Sequence, residues 1–329
     1  MNWPGIRGHE FPLRFLERAL ASGRIGHAYL FVGRAQIGKA TVARLFLQAL
    51  YCEAPRSAAP CGECRACRRV ARGSHPDVHW IEPDGEAVRI EQIRELQNVL
   101  SLKPFEAERK AAVIDGADRM TVPAQNCLLK VLEEPPGETV IILIAANPAA
   151  LLPTIWSRCQ VLRFYPLPLE ETVAALRERG VEERQARLLA SLTEGCLGAA
   201  LASLEKDVVG MRDRVAGWVE ALADRHTGRR AVLEIGQALE EARDQLEEVL
   251  SLFLLWLRDM VLVREGVAGP LANQDAEGRL RAGAGAMDVR AIAGAMRAVD
   301  EARRRLQANA NFRLTLDVML AKVQRSLAS

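Results

Sequence analysis

The sequence predicts an α/β domain with a parallel sheet in its first half and an all-helical region in its second half. Three observations support this. Short apolar segments alternate with amphipathic helical segments as far as residue 165, which is typical of strands joined by crossover helices. A glycine-rich turn follows the first apolar segment and opens a helix. Beyond Pro168 the apolar residues keep a helical period to Ser329.

The elements of the first half follow from the spacing of their apolar residues. Residues 10–21 have helical spacing, and residues 28–32 form an uninterrupted apolar run that predicts a buried strand. After the glycine-rich turn a helix extends to about Tyr51. Further strands are predicted at 78–81, 111–114 and 139–145, and the helices between them at 90–100 and 122–134. Strands separated by helices of this length predict a parallel sheet with helices on both faces.

The second half is predicted to contain two helical units, at residues 167–207 and 208–329. Amphipathic periodicity predicts long helices at 246–263, 291–306 and 312–327. The Gly/Ala-rich segment 282–287 interrupts this pattern, and we expect it to be a loop. With residues 1–166 as the α/β domain, three domains are expected, in line with a chain of 329 residues that exceeds what one core usually organises.

Composition narrows the class of protein. The chain is 49% hydrophobic, 26% charged and 5% aromatic, the profile of a soluble, helix-rich protein. A net charge of +2 is too small for a chain that coats nucleic acid through charge alone. No apolar run approaches the ~20 residues of a membrane span, and residues 1–4 lack the features of a secretion signal. We therefore expect a cytoplasmic protein without membrane partners.

The glycine-rich turn has the pattern of a phosphate-binding loop. Gly33 and Gly38 allow the backbone N–H groups to point inward, the following helix N-terminus favours anions, and Lys39 can reach the outer phosphates. However, Ala40 stands where a Ser or Thr hydroxyl would hold Mg²⁺, and Thr41 comes one residue late. The sequence therefore predicts a nucleotide loop with weakened metal handling, with an ordinary strand-to-helix turn as the alternative.

The strand at 111–114 ends in an acid. Asp115 has the position of the carboxylate that supports Mg²⁺ in phosphate-transferring enzymes. Gly116 stands where a catalytic Glu is common, and Asp118 follows two residues later. Asp118 is equally well explained as a cap of the next helix.

Four of the seven cysteines lie within sixteen positions and suggest a metal site. They are Cys52, Cys61, Cys64 and Cys67. Four thiolates complete a tetrahedral zinc site, and the two Cys-x-x-Cys spacings allow a tight knuckle. Because such a site has no open position, its role is predicted to be structural. The alternatives are a redox Cys-x-x-Cys pair and a nucleic-acid contact through the arginines at 65, 68 and 69, which we expect instead to form a solvated helix face.

Three further motifs have simple structural explanations. Arg158, in Ser157-Arg158-Cys159, lies near a strand and on this evidence most simply forms a local ion pair. The tripeptide at 75–77, His-Pro-Asp, precedes a predicted strand and is expected to be a turn. The arginines at 303–305 are expected to form a solvated helix face, with contact to DNA or an acidic partner as the alternative.

Taken together, the strings resemble the clamp-loader branch of the AAA+ superfamily. The strings are those at 26–31, 74–77, 114–120 and 128–136 with the glycine-rich loop and the cysteine knuckle, extended by 103–105, 157–159 and 309–314. Their order and spacing also match, and they cover nearly the whole chain.

The resemblance implies an architecture, a set of partners and a role for one arginine. It implies a RecA-like AAA+ domain at 1–166 with an inserted zinc knuckle (52–67), a helical lid at 167–207 and a helical collar at 208–329 through which five subunits assemble. It implies assembly with delta and gamma/tau subunits, and action on a sliding clamp and primer-template DNA. Arg158 matches the arginine finger that reaches the γ-phosphate bound by a neighbouring subunit.

Departures from the motor subunits of that family imply a subunit that hydrolyses ATP weakly or not at all. Gly198 stands where a motor subunit carries an arginine that contacts nucleotide, and Ala145-Ala146-Asn147 lacks an expected hydroxyl. Ala40 and Gly116 add to these losses. ATP or ADP bound at Lys39 without hydrolysis is also compatible with the sequence, since backbone N–H groups can hold phosphates without a Mg²⁺ ligand at residue 40. The alternatives are a gamma/tau-type ATPase motor and a zinc-dependent nucleic-acid-binding protein, which the low net charge disfavours.

Overall fold

The structure, a computed structural model, describes residues 3, 5–54, 59–226, 228–267 and 269–328. Residues 1, 2 and 4 of the amino-terminal segment and residues 55–58 between the first two cysteines lie outside this description. The chain divides into two compact units. Unit 1 consists of Met1–Leu167 with Cys196–Ala199, and unit 2 of Pro168–Gly195 with Ala200–Ser329.

Unit 1 contains a parallel sheet, as predicted. Among the described residues its strands are β1 Ala28–Val32, β2 Val78–Ile81, β3 Lys110–Asp115, β4 Thr139–Ala145 and β5 Gln160–Arg163. They lie in the order β2-β3-β4-β1-β5, and all neighbouring strands are parallel. Four of them correspond to predicted strands. The fifth, β5, forms at the apolar stretch that follows Cys159.

Burial explains why these segments are strands. Every residue of β1 and β4, two of the three interior strands, is buried, as expected where helices cover both faces of a parallel sheet. Burial falls at the two edges: β2 is half-buried throughout, and β5 has one fully buried residue, Leu162. The continuous apolar runs in the sequence therefore mark the centre of the sheet.

Helices cover both faces of this sheet. They are α1 Glu10–Ser22, α2 Lys39–Tyr51, α3 Arg65–Ala71, α4 Ile90–Ser101, α5 Val122–Glu133 and α6 Pro153–Trp156. Because side chains alternate across a strand, Leu30 packs in one core cluster with Ile93 and Leu128, whereas Phe31 packs in the other with Leu16 and Phe46. The two clusters position α4 and α5 on one face and α1 and α2 on the other.

Unit 2 is helical. Its helices are α7 Leu169–Arg177, α8 Glu183–Leu192, α10 Val208–Ala223, α11 Gly228–Glu241, α12 Leu246–Arg264, α13 Glu277–Gly285, α14 Val289–Gln307 and α15 Phe312–Leu327, and α9 Leu197–Ala202 contributes residues to both units. The described helices include none that is long and apolar enough to span a membrane. The division of residues 167–329 into lid and collar stays a prediction.

The predicted loop at 282–287 is wrong for residues 282–285, since α13 continues through Gly285, and is confirmed only for residues 286–287, which lie between α13 and α14. Glycine in a helix costs about 1 kcal/mol relative to alanine. Here Leu280 and Ala284 are buried on the same helix, and this packing offsets the low helix propensity of the segment.

The three consecutive arginines on α14 each have an acidic partner. Arg303 pairs with Glu247, and the other two pair one turn back on their own helix, with Asp300 and Glu301. These pairs fit the predicted solvated face, because each positive charge is matched by a nearby carboxylate.

Candidate functional site

The glycine-rich loop lies at the carboxyl edge of the sheet, where ligands bind in open α/β folds. A Cβ atom at Gly33 would lie 2.6 Å from the carbonyl oxygen of Phe164, so only glycine fits there. Gly38 has φ +108° and Gln36 has φ +55°, the left-handed conformations that fold the loop back towards α2. The two predicted loop glycines therefore have steric reasons to be glycine.

Lys39 is buried at the start of α2 and bonds to its own loop. Its Nζ donates to the carbonyl oxygens of Gly33 and Arg34, each at 2.5 Å. Burial lowers the pKa of Lys39, and the charges of Asp115 and Asp118 oppose this shift. A phosphate that enters the loop has to compete with two carbonyl groups for this ammonium.

Asp115 is brought to the same edge of the sheet by β3. Burial raises the pKa of its carboxyl group, the charge of Glu82 adds to this, and the positive charge of Lys39 acts in the opposite direction. Thr41 is exposed on α2. The structure therefore brings the loop, Lys39 and Asp115 together, whereas Thr41 lies on the exposed face of α2.

Asp118 has a structural role that neither sequence interpretation included. Its carboxylate accepts hydrogen bonds from the backbone N–H groups of Ala146 (3.1 Å) and Asn147 (2.9 Å), and so holds the turn that follows β4. The cap of α5 is instead Thr121, whose side chain accepts from the backbone nitrogen of Ala124. Asp118 thus fixes the chain after β4.

Two glycines near the loop lie where a side chain would be crowded or strained. Gly116 has φ +82°, and a Cβ atom there would lie 3.0 Å from Pro83 Cγ, so a glutamate at this position would be strained. A Cβ atom at Gly198 would lie 2.3 Å from the carbonyl oxygen of Gln36. Segment 196–199 therefore packs directly on the loop, and an arginine at 198 requires a backbone shift.

His9 also contacts the loop and was missed from the sequence. Its Nε2 lies 3.0 Å from the carbonyl oxygen of Ile37, so this nitrogen carries the proton and donates. Burial lowers the pKa of His9, and its ring packs edge-on against Phe164 with centroids 5.0 Å apart. A single histidine before a helix carries no sequence signal of this contact.

The four cysteines converge as predicted. Their Sγ atoms all lie within 4.8 Å of one another. The Sγ atoms of Cys61 and Cys67 are 3.9 Å apart, close to the edge of about 3.8 Å expected for a tetrahedron with metal–sulfur bonds of about 2.3 Å. The backbone nitrogens of Cys64 and Cys67 donate to the Sγ atoms three residues earlier, each at 3.3 Å. This is the geometry of a metal knuckle.

Two of the clustered thiols differ in how readily they ionise. The backbone N–H of Cys64 is the main cause that lowers the pKa of Cys61 to about 6, whereas burial raises the pKa of Cys67. A buried thiol beside other thiolates ionises only when a positive charge compensates them. The residues present therefore fit a divalent metal with four thiolate ligands.

A buried glutamine joins this knuckle to the core. Gln48, on α2, donates from Nε2 to the carbonyl oxygen of Cys67 at 2.9 Å, and Cys67 Sγ lies 3.5 Å from the carbonyl oxygen of Gln48. The helix that begins at the glycine-rich loop therefore also supports the cysteine cluster.

The turn predicted at 75–77 is confirmed, and it contains a carboxylate with an unpredicted role. Asp77 is fully buried. Its Oδ1 accepts from the backbone nitrogen of Phe105 at 2.6 Å, and its Oδ2 accepts from those of Glu106 and Ala107 at 3.0 Å each. Glu106 in turn pairs with Arg69 of α3 at 2.5 Å. The loop at 105–107 is thus tied to the helix of the cysteine knuckle.

Arg158 lies at the amino ends of the parallel strands, whereas the glycine-rich loop lies at their carboxyl ends. It comes two residues before β5, which runs parallel to β1 with Gln160 opposite Tyr29. Four residues separate Tyr29 from Gly33, about 13 Å along a strand at about 3.3 Å per residue. Arg158 is therefore remote from the loop of its own chain.

The side chain of Arg158 forms the local ion pair that the sequence favoured. Its Nη2 lies 2.6 Å from Glu133 Oε1, and its Nη1 donates to the carbonyl oxygen of Thr154 at 3.0 Å. Buried Gln125, on α5, positions the segment before α6, because its Oε1 accepts from the backbone nitrogen of Leu152 at 2.8 Å. Neither Glu133 nor Gln125 has a local sequence pattern that predicts these contacts.

Comparisons with known proteins agree on one family. A family model described as "DNA polymerase III, delta subunit" matches residues 8–168, and one described as the C-terminal part of that subunit matches residues 218–325. DNA polymerase III subunit delta' of Bacillus subtilis is 32% identical over 95% of this chain and 95% of its own length. The delta' subunit of Pseudomonas aeruginosa is 37% identical over 60% of each chain.

A related subunit is also similar. DNA polymerase III subunit tau of Bacillus subtilis is 29% identical over 79% of this chain and 50% of its own length. The match to the delta' subunit of the same organism covers nearly the whole of both chains. The chain therefore belongs to the family of DNA polymerase III subunit delta'.

Proposed function

We propose that this chain is a non-hydrolysing or weakly hydrolysing delta'-type subunit of the bacterial replicative clamp loader, and that it donates Arg158 to the ATP site of a neighbouring subunit. In this role it assembles with delta and gamma/tau subunits into a hetero-pentamer that loads the sliding clamp on primed DNA. The observation that carries the proposal is that Arg158 lies at the amino ends of the strands, whereas its own nucleotide loop lies at their carboxyl ends. A phosphate that Arg158 contacts then belongs to another chain.

The chemistry of an arginine supplied in trans supports this role. The guanidinium group keeps its charge and offers several donors to phosphate oxygens. In GTPases an arginine finger contributes about 10³- to 10⁵-fold to turnover, because it stabilises the charge that develops in the transition state. Arg158 is one-third exposed, so a phosphate group of a docked subunit can approach it.

The surroundings of the chain's own loop support weak or absent hydrolysis. Ala40 offers no hydroxyl to Mg²⁺, Gly116 cannot be a general base, and Gly198 packs against the loop where an arginine would have to enter. The loop backbone and Lys39 are retained, and they are the groups that would hold ATP or ADP without hydrolysis. Such a nucleotide would have to displace the loop carbonyls from Lys39.

We further propose that the cysteine cluster binds zinc in a structural role. Four thiolates leave no open coordination position for catalysis. Bound zinc would supply the positive charge that stabilises the thiolates. Residues of this chain hold the cluster in place, with Gln48 bonded to the carbonyl group of Cys67.

The arginine-finger role is tested with Arg158→Ala in the reconstituted loader. Turnover at the ATP site that Arg158 completes is expected to fall by about 10³-fold or more. The DNA-dependent ATPase activity of the loader then falls by nearly the whole contribution of that site. Assembly of the loader is expected to be unchanged. Arg14→Ala is the matched control, because Arg14 also forms a single exposed ion pair, with Glu10 at 3.5 Å. An Arg158→Ala loader that hydrolyses ATP like the wild type would rule out the finger.

The weak-hydrolysis proposal is tested on the isolated chain. We expect ATP turnover at background, unchanged by Lys39→Ala. Turnover in the wild type that Lys39→Ala abolishes would instead identify a gamma/tau-type motor, the alternative function.

A further inference from the structure

The guanidinium group of Arg158 makes one ion pair and two hydrogen bonds within its own chain. Nη2 is 2.6 Å from Glu133 Oε1, and Nη1 donates to the carbonyl oxygen of Thr154 at 3.0 Å and to Ser157 Oγ at 3.1 Å. The side chains of Arg158 and Glu133 are 33% and 49% exposed. The pair is therefore formed within the subunit and lies where an approaching anion can reach it.

This pair opposes the use of Arg158 as a finger. A carboxylate at hydrogen-bond distance cancels much of the positive charge that the guanidinium would offer to a phosphate. The same carboxylate repels the phosphate, since like charges disfavour close approach. Glu133 and a phosphate group therefore compete for the same donors.

The position of Glu133 on its helix adds a second observation. Glu133 is the last residue of α5, and a negative charge is unfavourable at a helix C-terminus because the helix dipole is negative there. Without a cation Glu133 would weaken the end of α5. The guanidinium of Arg158 supplies that cation, so release of Arg158 leaves an unfavourable charge behind.

The geometry points to Glu133 as a holding residue that keeps Arg158 paired within its own subunit until the phosphate of a neighbouring ATP site displaces it. This inference rests on the proposed role of Arg158. Glu133 touches no reacting atom and acts through Arg158, so it is a positioning residue. Its effect is to make the finger engage less readily when the neighbouring site holds no γ-phosphate.

The expected size of the effect follows from the exposure of the pair. Exposed ion pairs shift equilibria by about 1.4- to 5-fold. Glu133→Gln keeps the shape of the side chain and removes its charge. We expect this variant to raise kcat/KM for ATP in the reconstituted loader by about two- to fivefold. The ratio of variant to wild type is expected to fall towards one at high salt, because salt screens the wild-type pair.

Glu134→Gln is the matched control. Glu134 is the next residue and is also exposed at the end of α5, so this substitution removes the same charge from the same place without removing the partner of Arg158. We expect kcat/KM for ATP to stay at the wild-type value. In an Arg158→Ala background, Glu133→Gln is expected to add no further change.

The outcomes separate this inference from the proposed function. If Arg158→Ala lowers ATPase but Glu133→Gln leaves kcat/KM unchanged, Arg158 is a finger that Glu133 does not hold. If Glu133→Gln lowers kcat/KM, Glu133 orients the finger for reaction, and the holding role is overturned. If Arg158→Ala itself has no effect, the proposed function fails whatever Glu133→Gln does. An equal increase with Glu134→Gln would assign the effect to general charge and also overturn the inference.

Discussion

Replacing Asp77 with asparagine tests how the loop at 105–107 is held beside the cysteine knuckle. The two carboxylate oxygens accept three backbone hydrogen bonds in a fully buried position. Asparagine keeps the shape but replaces one oxygen with an NH₂ group. In the better orientation its oxygen faces Glu106 and Ala107, and its NH₂ group then faces the N–H of Phe105.

The magnitude follows from these bonds. Hydrogen bonds to a charged group contribute about 1.5–3 kcal/mol, those to a neutral group about 0.5–1.5 kcal/mol, and an unsatisfied buried donor costs about 1–3 kcal/mol. Asp77→Asn leaves one donor unsatisfied and weakens two bonds by about 1 kcal/mol each, so we expect a loss of about 3–5 kcal/mol in the free energy of unfolding. For a domain of this size that corresponds to about 6–20 °C in the unfolding midpoint.

Thermal unfolding of the full chain measures the loss, and hydrogen exchange localises it. The amides of residues 105–107 are expected to exchange faster in Asp77→Asn than in the wild type. Asp84→Asn is the control, because Asp84 is an exposed acid in the turn after β2. An unchanged midpoint with unchanged exchange at the three amides would refute the role of Asp77.

The same carboxylate has a defined pH dependence. Burial raises the pKa of Asp77, but the three backbone donors outweigh burial and hold it below its ordinary value. Its stabilisation is therefore complete above the unfolded pKa of about 3.9 and is lost as pH falls through the lower folded pKa. Urea unfolding at a series of pH values is expected to show the wild type losing its advantage over Asp77→Asn in this acidic range.

Three further predictions concern the metal cluster and the glycines. Purified protein is expected to contain about one equivalent of zinc per chain. The double variant Cys61→Ser with Cys64→Ser should lose the bound zinc and have a lower unfolding midpoint. A wild-type protein that is fully folded without metal would contradict this prediction. Gly198→Ala is expected to lower the free energy of unfolding by about 1–3 kcal/mol, because its Cβ would lie 2.3 Å from the Gln36 carbonyl oxygen. The control Gly278→Ala, in open space on α13, should be neutral or stabilising. Equal stability of the two variants would contradict the contact. Gly116→Glu is expected to yield no ATP turnover and a less stable protein, since φ is +82° there, and a new ATPase activity would count against this.

Local patterns predicted most of the secondary structure. The helix predicted at 312–327 is observed as α15 Phe312–Leu327, because Asn311 caps it by accepting from the backbone nitrogen of Leu314 and its apolar period is regular. Residues 282–285 were wrongly predicted as a loop because the burial of Leu280 and Ala284 decides whether their glycines stay helical. That burial is not a local property.

The sequence alone determined the parallel α/β domain and the four clustered cysteines, and it identified the family resemblance. These features depend on residues close together in the chain: apolar runs, a glycine-rich turn and two Cys-x-x-Cys spacings. Tertiary structure decided which groups meet. Asp77 bonds a loop 28 residues later, Glu133 faces Arg158 across the end of α5, and Gly198 packs on Gln36. Such pairings depend on the path of the chain through the sheet, because a carboxylate or a glycine has no preference for a partner until the fold brings one within reach.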